Sequence, residues 1–300
     1  MKIIIPTTIT ETGLVSSTVP EDDYAEWSSA TSYSTGDLVM VAALHKIFEA
    51  NQANSDSYPP DNEADWLDRG ATNRWAMFDN KIGTATTADE TMSIAIDAGL
   101  VTGVALIGMS ARSVTITMTD AVDGVVYNKT HLLYDPTLIT SWYDYFFEEI
   151  EYRRTLVVLG LPSYRGATIE ITVDGGVGEQ IAVGALVVGR HIVYAEAAKL
   201  GSSVGIMDYS VKKTDDFGVM SIVERDWSLR GDFNVVLDNV LLDNFTRRMV
   251  SLRSKPAVYI GYSGYDSTIV YGFYKSFDTV MEYPNHTELS IEIEGLTDGN

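Results

Sequence analysis

The chain has 300 residues, with 42 Asp and Glu against 21 Lys and Arg, a formal net charge of −21, and no cysteine. That length gives two or three domains at ~100–200 residues each, with cores large enough to need no disulfide or metal staple. The missing thiols exclude disulfide frameworks, thiolate zinc sites, iron–sulfur clusters and cysteine nucleophiles, and the acidic balance disfavours nucleic acid, because a phosphate backbone is repelled by such an average field.

Residues 1–23 read as an N-terminal arm. Its start, Lys2 to Ile5, is one short strand suited to the edge of another sheet or subunit. The Thr- and Ser-rich stretch that follows, closing on Pro20, Glu21, Asp22 and Asp23, has little core of its own. The opening is too short and too polar for a secretory signal. The longest apolar runs, 101–109 and 181–189, fall far short of the ~20 residues a spanning helix requires, so no membrane insertion is expected.

Residues 24–70 read as a compact aromatic-rich β module. Strands are predicted over 38–41 and 46–50, with Gly36 and Asp37 supplying the turn before the first. Pro59 and Pro60 break the chain before Trp66. So small a unit fills its core with large rings, each removing ~150–250 Å² from water. Trp27, Tyr33, Phe48 and Trp66 are the candidates, held by the Gly36–Asp37 turn.

Residues 71–190 are a run of strand signals. Val114, Ile116 and Met118 alternate with threonines, and Ile169, Ile171 and Val173 alternate with polar residues, the period of half-buried strands. The segments 104–107 and 181–188 are apolar throughout. The pattern predicts a two-sheet sandwich of jelly-roll type, interrupted by an aromatic and acidic insertion over 134–154. Residues 191–300 read as a C-terminal β-rich domain with one helix over 237–252, where Val240, Leu241, Phe245, Met249 and Leu252 share a face. Further strands are predicted over 258–261, 269–274 and 289–293. The fold class expected is therefore mainly β and multi-domain.

Catalytic signatures are missing. His45, His131, His191 and His286 are far apart and match no metal-ligand spacing. No GxSxG elbow and no glycine-rich phosphate loop occurs. Glu148, Glu149 and Glu151 lie among Trp142, Tyr143, Tyr145, Phe146, Phe147 and Tyr152. Acids beside rings suit a sugar cleft, and rings in an insertion equally suit a subunit interface; interface is the stronger reading. Asp215 and Asp216 read as a turn rather than a metal site. The basic pairs Arg153–Arg154 and Arg247–Arg248 stand isolated. No metal, cofactor or catalytic residue is assigned, and the chain is expected not to be an enzyme.

One pattern resembles a known family. Trp27, then Tyr33-Ser34-Thr35-Gly36-Asp37-Leu38-Val39, Phe48-Glu49-Ala50, Pro59-Pro60 and Trp66 resemble the small carbohydrate-binding modules of chitinases and of many phage tail proteins. In sugar-binding members, exposed rings follow the aromatic-x-Ala strand. This chain has Asn51-Gln52-Ala53-Asn54 there, leaving Tyr33 and Tyr58 as the rings that can touch a sugar; the alternative reading places the matched rings in the core. The stretch 242–261, a helix leading into a strand, resembles tail and baseplate proteins. The resemblance implies a structural protein of the bacteriophage tail, located in the virion, whose partners are copies of itself in a ring or other homo-oligomer, other tail proteins and, weakly, a host surface glycan. A carbohydrate-binding adhesin or glycan-degrading enzyme is the alternative.

Overall fold

The computed structural model describes residues 1–135, 139, 141–147, 151–214, 217–281 and 283–298, with Asp144 and Tyr145 described in backbone alone. The protein is mainly β, with 51% of its residues in strands and 11% helical. Its largest element is a ten-stranded sheet. Across it run Thr155–Leu159, Gly103–Ser110, Gln180–Val193, Lys2–Pro6, Ala257–Ile260, Ile269–Val280, His286–Asp298, Trp227–Asp238 and Ser203–Asp208, with Thr86–Asp89 also paired to Gln180–Val193. Every pairing is antiparallel, which is why alternation in the sequence reads directly as inside and outside.

Two layers cover one face of this sheet. The first is a five-stranded sheet, ordered Gly124–Leu132, Ser113–Asp120, Thr168–Asp174, Thr91–Ile96 and Leu14–Ser17. Its inward residues Ile94, Ile96, Val114, Ile116, Ile169, Ile171 and Val173 share one core with Val104, Leu106, Leu186 and Val188 of the large sheet. The threonines between them face outward, and Thr115 meets Thr130 across the strands at 2.8 Å. The second layer is the helix Leu242–Leu252, which buries Phe245, Met249 and Leu252 against Phe233, Val235, Leu237, Leu289 and Ile291. A 3-10 turn over Asn239–Leu241 precedes it, capped by the Asp238 carboxylate accepting from Val240 N–H at 3.1 Å. The residues expected to begin the helix at 237 and 238 are instead the end of the strand Trp227–Asp238.

The N-terminal segment departs most from expectation. Lys2–Pro6 is a central strand, paired on one side with Gln180–Val193 and on the other with Ala257–Ile260. Ile3 and Ile4 are 1% and 0% exposed. Three consecutive isoleucines suit a strand buried on both faces, where neither side asks for polar residues. The expected division at 190 also falls inside Gln180–Val193, which pairs with Gly103–Ser110 as far as Gly189 and with Lys2–Pro6 from Gly189 onward. One sheet thus passes through both the sandwich and the C-terminal unit.

The module at 24–70 is built on a three-stranded sheet, Leu38–Val41, Lys46–Ala50 and Trp66–Ala71, with a short pair Ser32–Tyr33 and Asn54–Ser55. At one edge of the large sheet, Ser203–Asp208 pairs with Trp227–Asp238 as far as Asp208 and Trp227. Tyr209 N–H donates to Asp226 C=O at 3.2 Å, and Val211–Thr214 then pairs with Met220–Val223. The result is a two-stranded ribbon leaving the sheet, since His286–Asp298 accompanies it only as far as Trp227.

Candidate functional site

The rings of the module face inward. Tyr33, Val39, Val41, Phe48, Ala50 and Trp66 form its core, with Trp27 and Tyr58 packed against it. Tyr33 meets Trp66 edge-on at 5.1 Å, and Tyr58 meets Trp27 the same way at 5.0 Å. The Tyr33 hydroxyl accepts from Ser28 N–H at 2.8 Å and faces Ser28 C=O at 3.2 Å. The turn is as local as its residues require: Gly36 adopts φ +91° and Asp37 accepts from Ser34 N–H at 2.7 Å. Tyr33 is 8% exposed, so it presents no face to a sugar, and the role of sugar contact assigned to it is corrected. Tyr58 is half-buried with its ring committed to Trp27. The substitution of polar residues at 51–54 therefore has its structural counterpart: the strand after Phe48 leads into exposed Asn51 and Gln52 rather than a ring platform.

A polar knot ties this module to the rest of the chain. The Glu21 carboxylate meets His45 Nδ1 at 2.9 Å, accepts from Thr72 Oγ1 at 2.8 Å and lies 3.8 Å from Arg74 Nη1. His45 also stacks on Trp75, with centroids 4.1 Å apart. Asp23 accepts from Asn73 N–H at 3.2 Å. These contacts join residues 21–23, His45 of the module and residues 72–75. The other histidines lie elsewhere: His131 beside the Tyr127 hydroxyl at 3.5 Å, held below its ordinary range by burial and then by Lys129; His191 on Thr102; and His286 stacked on Tyr283 at 4.4 Å. Among the described residues no group of three or more His, Asp or Glu is placed to hold a metal ion.

The acidic insertion is only partly visible. Glu148 and Glu149 lie outside the described residues, as do Asp215 and Asp216, while Glu151 is exposed. The insertion is pinned at its base, where Asp135 N–H donates to Glu151 C=O at 2.9 Å and Arg153 N–H to Leu133 C=O at 2.7 Å. It carries the helix Trp142–Phe147, on which Trp142 is 81% exposed and Tyr143, Phe146 and Phe147 about as much. A cleft of about 760 Å³ beside its base is lined by Arg112, Tyr152, Arg154, Glu179 and Asp298. Its Asp298 lies 3.6 Å from Arg154 across the cleft.

Sequence reading missed the ribbon. Its strands expose Met220, Ile222 and Val223, and the adjoining edge strand exposes Val204 and Ile206. Phe217, near its tip, is 93% exposed. The signal was present in Met220-Ser221-Ile222-Val223, but a short apolar run reads as buried strand unless its partner is known. Among the described residues no helix is long and apolar enough to cross a membrane. Comparison with protein-family models, with curated proteins and with solved structures finds no match.

Proposed function

We propose that the chain is a non-enzymatic structural subunit of a bacteriophage tail, located in the virion, that joins copies of itself and neighbouring tail proteins into a defined oligomer. The observation that carries the reading is the ribbon. A two-stranded hairpin is marginal in water on its own, and this one displays Met220, Ile222 and Val223 to solvent, while the adjoining edge strand exposes Ile206. Apolar strand surface of this kind marks a contact site. Trp142, Tyr143, Phe146 and Phe147 supply a second apolar surface of interface composition. Covering one such side chain completely contributes about 1.5–3 kcal/mol. Association costs ~4–15 kcal/mol, so the contacts act in numbers, as closed rings of copies allow. The placement in a tail comes from the resemblance of 24–70 and 242–261; the sugar-binding alternative loses its nearest ring with the burial of Tyr33.

The test is mass photometry of the purified full chain beside Ile222→Lys and Met220→Lys. The wild type is expected to populate one defined oligomer, and the variants to shift to monomer with an unchanged far-UV spectrum. A wild type that stays monomeric at high concentration, and that binds no other tail component, contradicts the reading.

A further inference from the structure

Alternation along Gln180–Val193 places Leu186, Val188, Arg190 and Ile192 on one face of the large sheet. Leu186 and Val188 belong to the core under the five-stranded sheet, and Ile192 packs against the core under the helix. Arg190 therefore sits between the two layers. A cleft of about 420 Å³ opens there, lined by Arg165, Arg190 and Arg248 together with Ile5, Thr7 and Gly99 among others. The three arginines come from unrelated elements: Arg165 from the connection before Thr168–Asp174, Arg190 from the central sheet, and Arg248 from the helix.

Among the described residues no carboxylate lines this cleft. The chain carries two acids for every base, yet the arginines found in ion pairs are others, Arg69, Arg74, Arg153, Arg154 and Arg230. Asp97, close by in sequence, turns its carboxylate to Gly99 N–H at 3.2 Å. The dipole at the helix C-terminus favours Arg248 but accounts for neither Arg165 nor Arg190. Three like charges facing one cavity repel one another, and an anion between them removes that repulsion. Guanidinium forks match the oxygens of phosphate in pairs.

We propose that this cleft binds a phosphate group, free or carried on a larger molecule, between Arg165, Arg190 and Arg248. The inference is independent of the tail reading. It is tested by isothermal titration calorimetry of the full chain with sodium phosphate and with glycerol 3-phosphate, each at matched ionic strength. Saturable one-site binding is expected. Arg190→Gln is expected to weaken it about tenfold or more, and the triple variant R165Q/R190Q/R248Q to abolish it. Arg225→Gln, an exposed arginine outside the cleft, serves as the control and is expected to bind as the wild type does. All three side chains of the cleft are exposed, so the far-UV spectrum of the variants is expected to be unchanged. Equal affinities assign the free ion, and tighter binding of the ester assigns a phosphate borne on a larger molecule. Absence of saturable heat with either ligand up to ~10 mM, equal binding by the triple variant, or binding of poly-glutamate with none of phosphate overturns the proposal, the last in favour of an acidic protein segment.

Discussion

Alanine at Ile3 or Ile4 tests whether the N-terminal strand is structural core or appended arm. The two side chains are 1% and 0% exposed and point to opposite faces. Ile3 shares a core with Tyr194, Phe233 and Tyr259, and Ile4 shares another with Ala105, Val258 and Ile260. Truncating a buried Ile to Ala costs ~2–5 kcal/mol, the transfer term plus the cavity left behind. Because the two cavities open in different cores, the costs of the double variant approach a sum of ~4–10 kcal/mol. That is comparable to the whole stability of a domain, ~5–15 kcal/mol. At ~2–4 °C per kcal/mol for larger domains, each single variant lowers Tm by roughly 4–20 °C. Circular dichroism melts at one fixed protein concentration measure this, since assembly itself shifts Tm. A shift below ~2 °C in both single variants, as expected of surface positions, refutes the central placement of the strand.

In the module, Trp66→Ala is expected to cost ~3–5 kcal/mol, and Tyr33→Phe ~1–2 kcal/mol through the Ser28 N–H left without its acceptor; urea titration followed by tryptophan fluorescence reads both, and a neutral Tyr33→Phe contradicts the burial of that hydroxyl. Gly189→Ala places a methyl 1.9 Å from Ile5 C=O, a backbone atom that cannot swing aside. It is expected to exceed the ~1–3 kcal/mol of ordinary overpacking or to block folding, and soluble expression with an unchanged Tm argues against this strand pairing. Burial pushes the Asp79 carboxyl above its ordinary range, against the opposing bonds from Thr84 and Lys81. Its folded pKa then exceeds its unfolded one, so the charged group weakens folding at neutral pH, and that penalty disappears as pH falls through the folded value to below the unfolded ~3.9. Wild-type stability relative to Asp79→Asn is thus expected to improve between pH 7 and pH 3.5; urea midpoints that move the other way contradict it.

Much of the β architecture was legible because its cause is local. Ile169, Ile171 and Val173 alternate with Thr168, Glu170 and Thr172, and period two can bury only one face, so the half-buried strand followed directly. The module's turn was equally legible, since Gly36 and Asp37 act within four residues of each other. The helix was readable from its apolar stripe, although its start was set by the Asp238 cap and the pairing of Leu237 with Thr287, which lie outside any local pattern. Lys2–Pro6 was misplaced because its three isoleucines specify burial on both faces without naming partners nearly 190 and 260 residues away. The sheet's continuity across residue 190 depends on that same long-range pairing. Arg248 illustrates the limit for sites: as part of an Arg-Arg pair it had no visible company, and Arg165 and Arg190 join it only through the gap between two layers. The fate of Tyr33 was open for a related reason, since a ring that fills a core and a ring that stacks on sugar are the same letter.

Hydrogen–deuterium exchange of the full chain at two concentrations, one above and one below assembly, tests the central claim of the account most directly. The amides of Val211–Thr214 and Met220–Val223 are expected to slow markedly in the concentrated sample, together with those around Trp142–Phe147, while the core strands exchange identically in both. Ribbon amides that exchange at the same fast rate at both concentrations would contradict a subunit built to be covered by its own copies.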